Sequence, residues 1–211
     1  ATERITAVDL DAIRLDGAPV EVLVKFHELV EPSRPDLIVL AGASVLYLAG
    51  RFEYFVKLEF EQLCENVARK CGSFDRLPKV MRQNIILFTA RVVAEPRKYG
   101  HAENGVRTFL VTLAELLHGS TPMSDVNKQC LSISDTNMRS DMIDELFARV
   151  GAKNIWTRIG QQARMMIFFN GADTEACTKL CKSALNEFMD LRNKIAHPSR
   201  SLSWPSGEQI R

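Results

Sequence analysis

The apolar positions of this chain recur with the period of an α-helix almost throughout. Ile38, Ala41, Val45, Leu48, Phe52, Phe55, Val56, Phe60, Leu63 and Val67 form one stripe, which predicts a long helix over residues 36–70. Cys71-Gly72 supplies its C-terminal stop. At about 1.5 Å per residue such a helix would be about 50 Å long, so a kink or a division near Gly42 or Gly50 is expected. The apolar run "LIVLAGASVLYLAG" (37–50) is too short to span a bilayer and reads as a buried helix.

Ahead of it, Pro19 suits the first turn of a short helix over 19–30, with Val20, Leu23, Val24, Phe26 and Val30 inward. Behind it, helices are expected over 77–94, between Pro78 and Pro96, and over 102–117, ending at Gly119. Residues 119–138 are rich in Ser, Thr, Asn and Asp and read as a loop or irregular insertion. Ser140 is placed to cap a short helix that closes at Gly151. "MMIFF" (165–169) reads as a buried turn rather than part of a dimer surface. The last long helix covers 173–196.

No βαβ alternation, repeat or low-complexity block interrupts this pattern. The fold class is therefore all-α: an up-down helical bundle with a short helical insertion before its last long helix. The expected organisation is an N-terminal extension (1–18), a bundle (19–200) with an irregular region at 119–172, and a tail (201–211) in which Trp204 can anchor on the bundle.

Composition narrows the function classes. With 46% hydrophobic residues there is material for a real core. The net charge of +1 advertises no strong global field for nucleic acid or membrane, so any basic site must be local. Five cysteines without paired spacing argue against a disulfide framework and for a reducing, cytoplasmic setting. The charged N-terminal stretch has no signal-peptide core. Cys177 and Cys181, four apart, could serve a metal, but they lie on the core stripe with no third ligand nearby. Neither a phosphate-loop motif nor a G-x-S-x-G elbow occurs, and no cofactor is called for.

The chemistry concentrates at "RNKIAH" (192–197). On a helical wheel Cys181, Ala184, Leu185, Phe188, Leu191 and Ile195 share an arc of about 120°, and Arg192 falls inside it. A guanidinium on an apolar stripe requires pairing, and Glu53, at the edge of the long helix's stripe, is the candidate partner. Asn193 and His197 are four apart on the adjoining face, and Pro198 confines His197 to the helix end, where the dipole favours its charged form. The plainer reading is an ordinary basic helix terminus. An inward arginine separates the two, because a capping residue points outward. Lys194 and Arg200, with Lys179 and Lys182 and then Arg158 and Arg164, form either a solvated face or a phosphate-binding rim.

These residues resemble the R-x₄₋₆-H motif of HEPN domains, including the polar residue after the arginine, here Asn193. "LAGASVLYLAGRFEYFVKLEFEQL" is similar to the HEPN helix that carries an acidic residue, matched by Glu53. "NMRSDMIDELFARVGAKNIW" resembles the inter-helix insertion of RiboL-PSP-type and related bacterial groups. The resemblance covers roughly residues 20–200. It implies a homodimer in which two motifs meet and form one metal-independent ribonuclease site. Such domains recur in toxin–antitoxin and antiphage systems, and some serve as non-catalytic modules that bind RNA, a nucleotide or a partner protein.

The residue types suit that implied reaction. Histidine can give or take a proton near neutrality, and arginine can clamp the phosphate. Asn193 could hold the imidazole or a phosphate oxygen, and Glu53 could orient Arg192. The expected products are a 2′,3′-cyclic phosphate and a 5′-OH. RNA rather than DNA is the expected nucleic acid, an antitoxin or defence-system protein a possible partner, and no membrane partner is expected.

Overall fold

The computed structural model of the chain describes residues 34–119, 123 and 125–197. The helix expected over 19–30, the two terminal segments, Trp204 and Arg200 lie outside them. Among the described residues there are helices and no strand: α1 (Arg34–Cys71), α2 (Lys79–Ala94), α3 (Glu103–His118), α4 (Lys128–Leu131), α5 (Ser140–Ala148), α6 (Ile155–Gly160), α7 (Ala163–Phe169) and α8 (Thr174–Ala196). Two short 3₁₀ turns, Phe74–Arg76 and Pro96–Tyr99, flank α2. The all-α expectation holds. Helix ends follow the local chemistry. Gly72 and Gly119 take left-handed φ of 72° and 71° straight after α1 and α3. Pro96 ends α2 by disfavouring helix at Glu95.

The chain divides into two compact units, 52–189 and the combination of 1–51 with 190–211. In the first, the core is built from Val56, Phe60, Cys64 and Ala68 on α1, Met81, Ile85, Phe88 and Val92 on α2, Phe109 and Leu116 on α3, and Cys177, Cys181 and Met189 on α8. Phe60 meets Phe147 edge to face, with ring centroids 5.6 Å apart. Two glycines let α6 and the end of α7 approach α8 closely. A Cβ on Gly160 would collide with Thr178 Oγ1, and one on Gly171 would lie 2.9 Å from the Cβ of Cys177.

The irregular region is more buried than its composition suggests. Residues 126–138 contribute to the core: Val126, Asn127, Cys130, Leu131, Ile133 and Met138 are all buried. Burying irregular backbone requires partners for its polar groups. Arg149, only 5% exposed, donates from Nη1 to the carbonyls of Leu131 and Ile133, each at 2.7 Å. Asn127, in left-handed conformation, donates to Thr89 Oγ1 and to the carbonyl of Phe109. Lys128 pairs with Glu65, and Ser132 donates to Glu61. Ser140 does not cap α5. It is the first helical residue, its N–H donates to Asn186 Oδ1 at 3.0 Å, and its hydroxyl accepts from Asn186 Nδ2.

In the second unit α1 covers 34–51 and α8 covers 190–196. Here Val45 and Ala49 are buried, but Val39, Leu40, Leu46, Tyr47 and Leu48 are exposed, Tyr47 at 68%. The reading of 37–50 as a buried helix is therefore wrong. The apolar residues surround the helix instead of forming one stripe, so a single packed face cannot cover them. Nor is α1 divided at Gly42 or Gly50; its helix is unbroken, and the glycines are tolerated within it. By length and composition alone Val39–Cys71 is apolar enough to cross a membrane. Its later half, however, carries Val56, Phe60, Cys64 and Ala68 into the protein core.

All five cysteines are free, and only Cys71 is not fully buried. Burial pushes the Cys64 and Cys130 thiols up to about 12 and Cys181 to about 11. At pH 8 a thiol reagent should label Cys71 alone in the native protein and all five in denaturant. Fast labelling of Cys64 or Cys130 without denaturant would contradict this core. The folded thiols keep their protons to higher pH than unfolded ones near roughly 8.5. Their contribution is thus complete below that value and is lost as pH rises above it, so the urea midpoint should fall between pH 8 and 10.

Candidate active site

The motif residues occupy the last turn of α8. Arg192 is half-buried, and its Nη1 donates to Asn193 Oδ1 at 3.1 Å. Asn193 is half-buried beside it. His197 lies one residue past the helix, and its backbone N–H donates to the carbonyl of Asn193 at 3.0 Å. The imidazole is exposed, and so is Lys194. Ile195 between them is buried, which fixes the rotation of this turn. The turn therefore presents a guanidinium braced by an amide and a solvent-accessible imidazole at a helix C-terminus. Asn193, assigned above to the imidazole or a phosphate, holds the arginine.

Glu53 belongs to the 52–189 unit. It is half-buried, and its Oε1 accepts from the backbone N–H of Met138 at 3.3 Å, so it ties α1 to the insertion. Of the expected basic rim, Lys179 pairs with Glu175 at 2.7 Å and Lys182 with Asp144 at 2.9 Å. Arg158 and Arg164 are exposed and make no side-chain hydrogen bond or ion pair with a described residue.

Among the described residues no three His, Cys, Asp or Glu side chains converge as a metal site would require. Cys177 and Cys181 are both buried core residues. A cavity of about 820 Å³ lies between the 96–99 turn and the start of α3, lined by Glu95, Arg97, Lys98, His101 and Asn104. Lys98 there bonds Asp135 at 3.0 Å and Glu95 at 3.4 Å, and holds Asp135 below the usual carboxylate range. Its charges largely cancel. Sequence reading missed this cavity, since its lining comes from a turn with no motif.

A family model, RiboL-PSP-HEPN, matches residues 20–211. The chain belongs to the RiboL-PSP-HEPN family. No curated protein and no solved structure matches it at a significant level. The family assignment covers α1 through α8 and carries a nuclease-type, RNA-related function in general terms. In this HEPN chain the last turn of α8 is the place where arginine, amide and imidazole coincide.

Proposed function

We propose that this HEPN chain is a metal-independent endoribonuclease that acts in the cytoplasm as a homodimer, in the role of a toxin or antiphage-defence effector. The observation that carries this reading is the α8 terminus: Arg192 held by Asn193 beside an exposed His197. Two copies of that turn, brought together across a two-fold axis, supply two imidazoles and two guanidinium groups. One imidazole takes the proton of the 2′-OH as its oxygen attacks phosphorus. The guanidinium stabilises the charge on the pentacoordinate phosphorus. The other imidazole protonates the leaving 5′-oxygen, giving a 2′,3′-cyclic phosphate and a 5′-OH. Lys194 and Arg200 are the candidates for neighbouring phosphate contacts. The exposed apolar face of α1, with Val39, Leu40, Leu46 and Tyr47, supports self-association, because large unpartnered apolar surface marks protein interfaces.

The test is product chemistry. The purified chain should cleave single-stranded RNA in the presence of a chelator and leave cyclic-phosphate ends. Products with 5′-phosphate and 3′-OH, or strict dependence on a divalent ion, would overturn the proposal. Binding of RNA, a nucleotide or a partner protein with no cleavage would move the chain to the non-catalytic reading of its family.

A further inference from the structure

The segment between α5 and α8 has an unusual charge balance. Of the 211 residues 26 are acidic, yet none lies between Glu145 and Asp173. That stretch carries Arg149, Lys153, Arg158 and Arg164. Arg149 is buried, but Lys153, Arg158 and Arg164 are exposed and make no side-chain hydrogen bond or ion pair with a described residue. The nearest carboxylates in sequence on either side are engaged. Asp144 pairs with Lys182, Glu145 with Arg149, and Asp173 accepts the N–H of Ala176 at 2.8 Å. A chain with almost no net charge thus carries, within this stretch, three exposed cations and no acidic residue.

Two large apolar side chains stand out of the same stretch. Ile167 is 80% exposed and Phe168 77%, against the expectation that "MMIFF" is buried. The short helix α7 explains this. Met165, Met166 and Phe169 pack on the core, and seven residues have no second inward face to offer. Phe168 is braced edge to face by Phe169, with centroids 4.9 Å apart. Arg164 is one helical turn before Phe168, on the same side of α7. The end of the helix is pinned: the N–H of Gly171 donates to Met166 O at 3.0 Å, and Gly171 abuts Cys177 on α8.

We infer that α6 and α7 form a docking surface for single-stranded RNA, in which Phe168 stacks on a base and Arg158 and Arg164 hold the flanking phosphates. The inference rests on the ribonuclease reading only in taking RNA as the ligand. An exposed aromatic ring with an arginine one helical turn away, both without a charged partner among the described residues, is the chemistry that binds single strands without reading sequence. An ordinary protein contact uses a wider apolar area.

The experiment measures binding of a short, fluorescently labelled 2′-O-methyl uridine strand, which cannot be cleaved, to the full chain in chelator. Phe168→Ala should weaken binding about tenfold or more, and Phe168→Trp should restore it. Arg164→Ala should weaken binding and reduce the slope of log affinity against log salt by about 1. Circular dichroism and the urea midpoint should not move, since both side chains are exposed. Wild-type affinity in Phe168→Ala and Arg164→Ala, or no binding by the wild-type chain, overturns the inference. So does a result in which the substitutions change sedimentation of the protein and leave RNA binding alone, which would make the patch a protein contact. Because the strand is inert, weakened binding in a chain that cleaves nothing supports this surface while removing the ribonuclease reading. Cleavage with unchanged binding does the opposite.

Discussion

His197→Ala is expected to lower RNA cleavage in chelator by about 10²- to 10⁴-fold, the range typical of removing a positioned proton-transfer group. The structure makes this substitution clean. The imidazole is exposed, and the backbone N–H of His197 donates to the carbonyl of Asn193. Alanine removes no core contact and leaves that bond intact. The urea midpoint and helical content should therefore match the wild type, so lost activity reports chemistry and not unfolding. Arg192→Lys is the companion experiment. Lysine keeps the charge but not the planar fork that clamps phosphate and meets Asn193 Oδ1. A fall in rate with little change in RNA affinity would assign the guanidinium to the transition state rather than to ground-state binding. Wild-type rates in His197→Ala would sink the proposed mechanism, whatever the family.

Much of this architecture was legible because helix ends carry their own chemistry. Gly72, Gly119 and Pro96 stop helices through backbone effects that need no tertiary information, and the ends of α1, α2, α3 and α8 fall within one or two residues of expectation. What could not be read was burial. On α8 the wheel placed Ala184, Leu185, Phe188 and Leu191 inward, yet these are half-buried while Met189 is fully buried. The packed face is broader than a single stripe, because α5 covers its flank through Asn186–Ser140 and Lys182–Asp144. The burial of the insertion was hidden for a related reason. Ser, Asn and Asp look like loop composition, but Asn127 and Ser132 use their polar groups inside the core. At the candidate site, Arg192, Asn193 and His197 were picked out by spacing and by the resemblance. The exposed Phe168 was not, since an apolar run gives no sign of which residues will lack a partner.

Arg149→Ala should destabilise the protein by about 4 kcal/mol, read as a lower urea midpoint with an unchanged slope. Two buried carbonyls, of Leu131 and Ile133, would lose their donor, each costing about 1–3 kcal/mol when left unsatisfied. The guanidinium also lies 3.9 Å from the centre of the Phe88 ring, a contact that adds about 1 kcal/mol. The ion pair with Glu145 contributes little, because that carboxylate is largely exposed. Arg149→Met separates the terms. It fills most of the volume but donates nothing, so it should recover packing and leave the carbonyl penalty, with a loss of about 3 kcal/mol. Near-wild-type stability in the methionine variant would mean that the 131–133 backbone finds other donors and that Arg149 is not the anchor of the insertion. The distinction reaches the functional helices. The same insertion, at Met138, donates its N–H to Glu53 on α1, and its Ser140 is held by Asn186 on α8. Loosening residues 131–133 should therefore free both attachments, which hydrogen exchange at the Met138 and Ser140 amides would detect as faster opening in Arg149→Ala than in Arg149→Met.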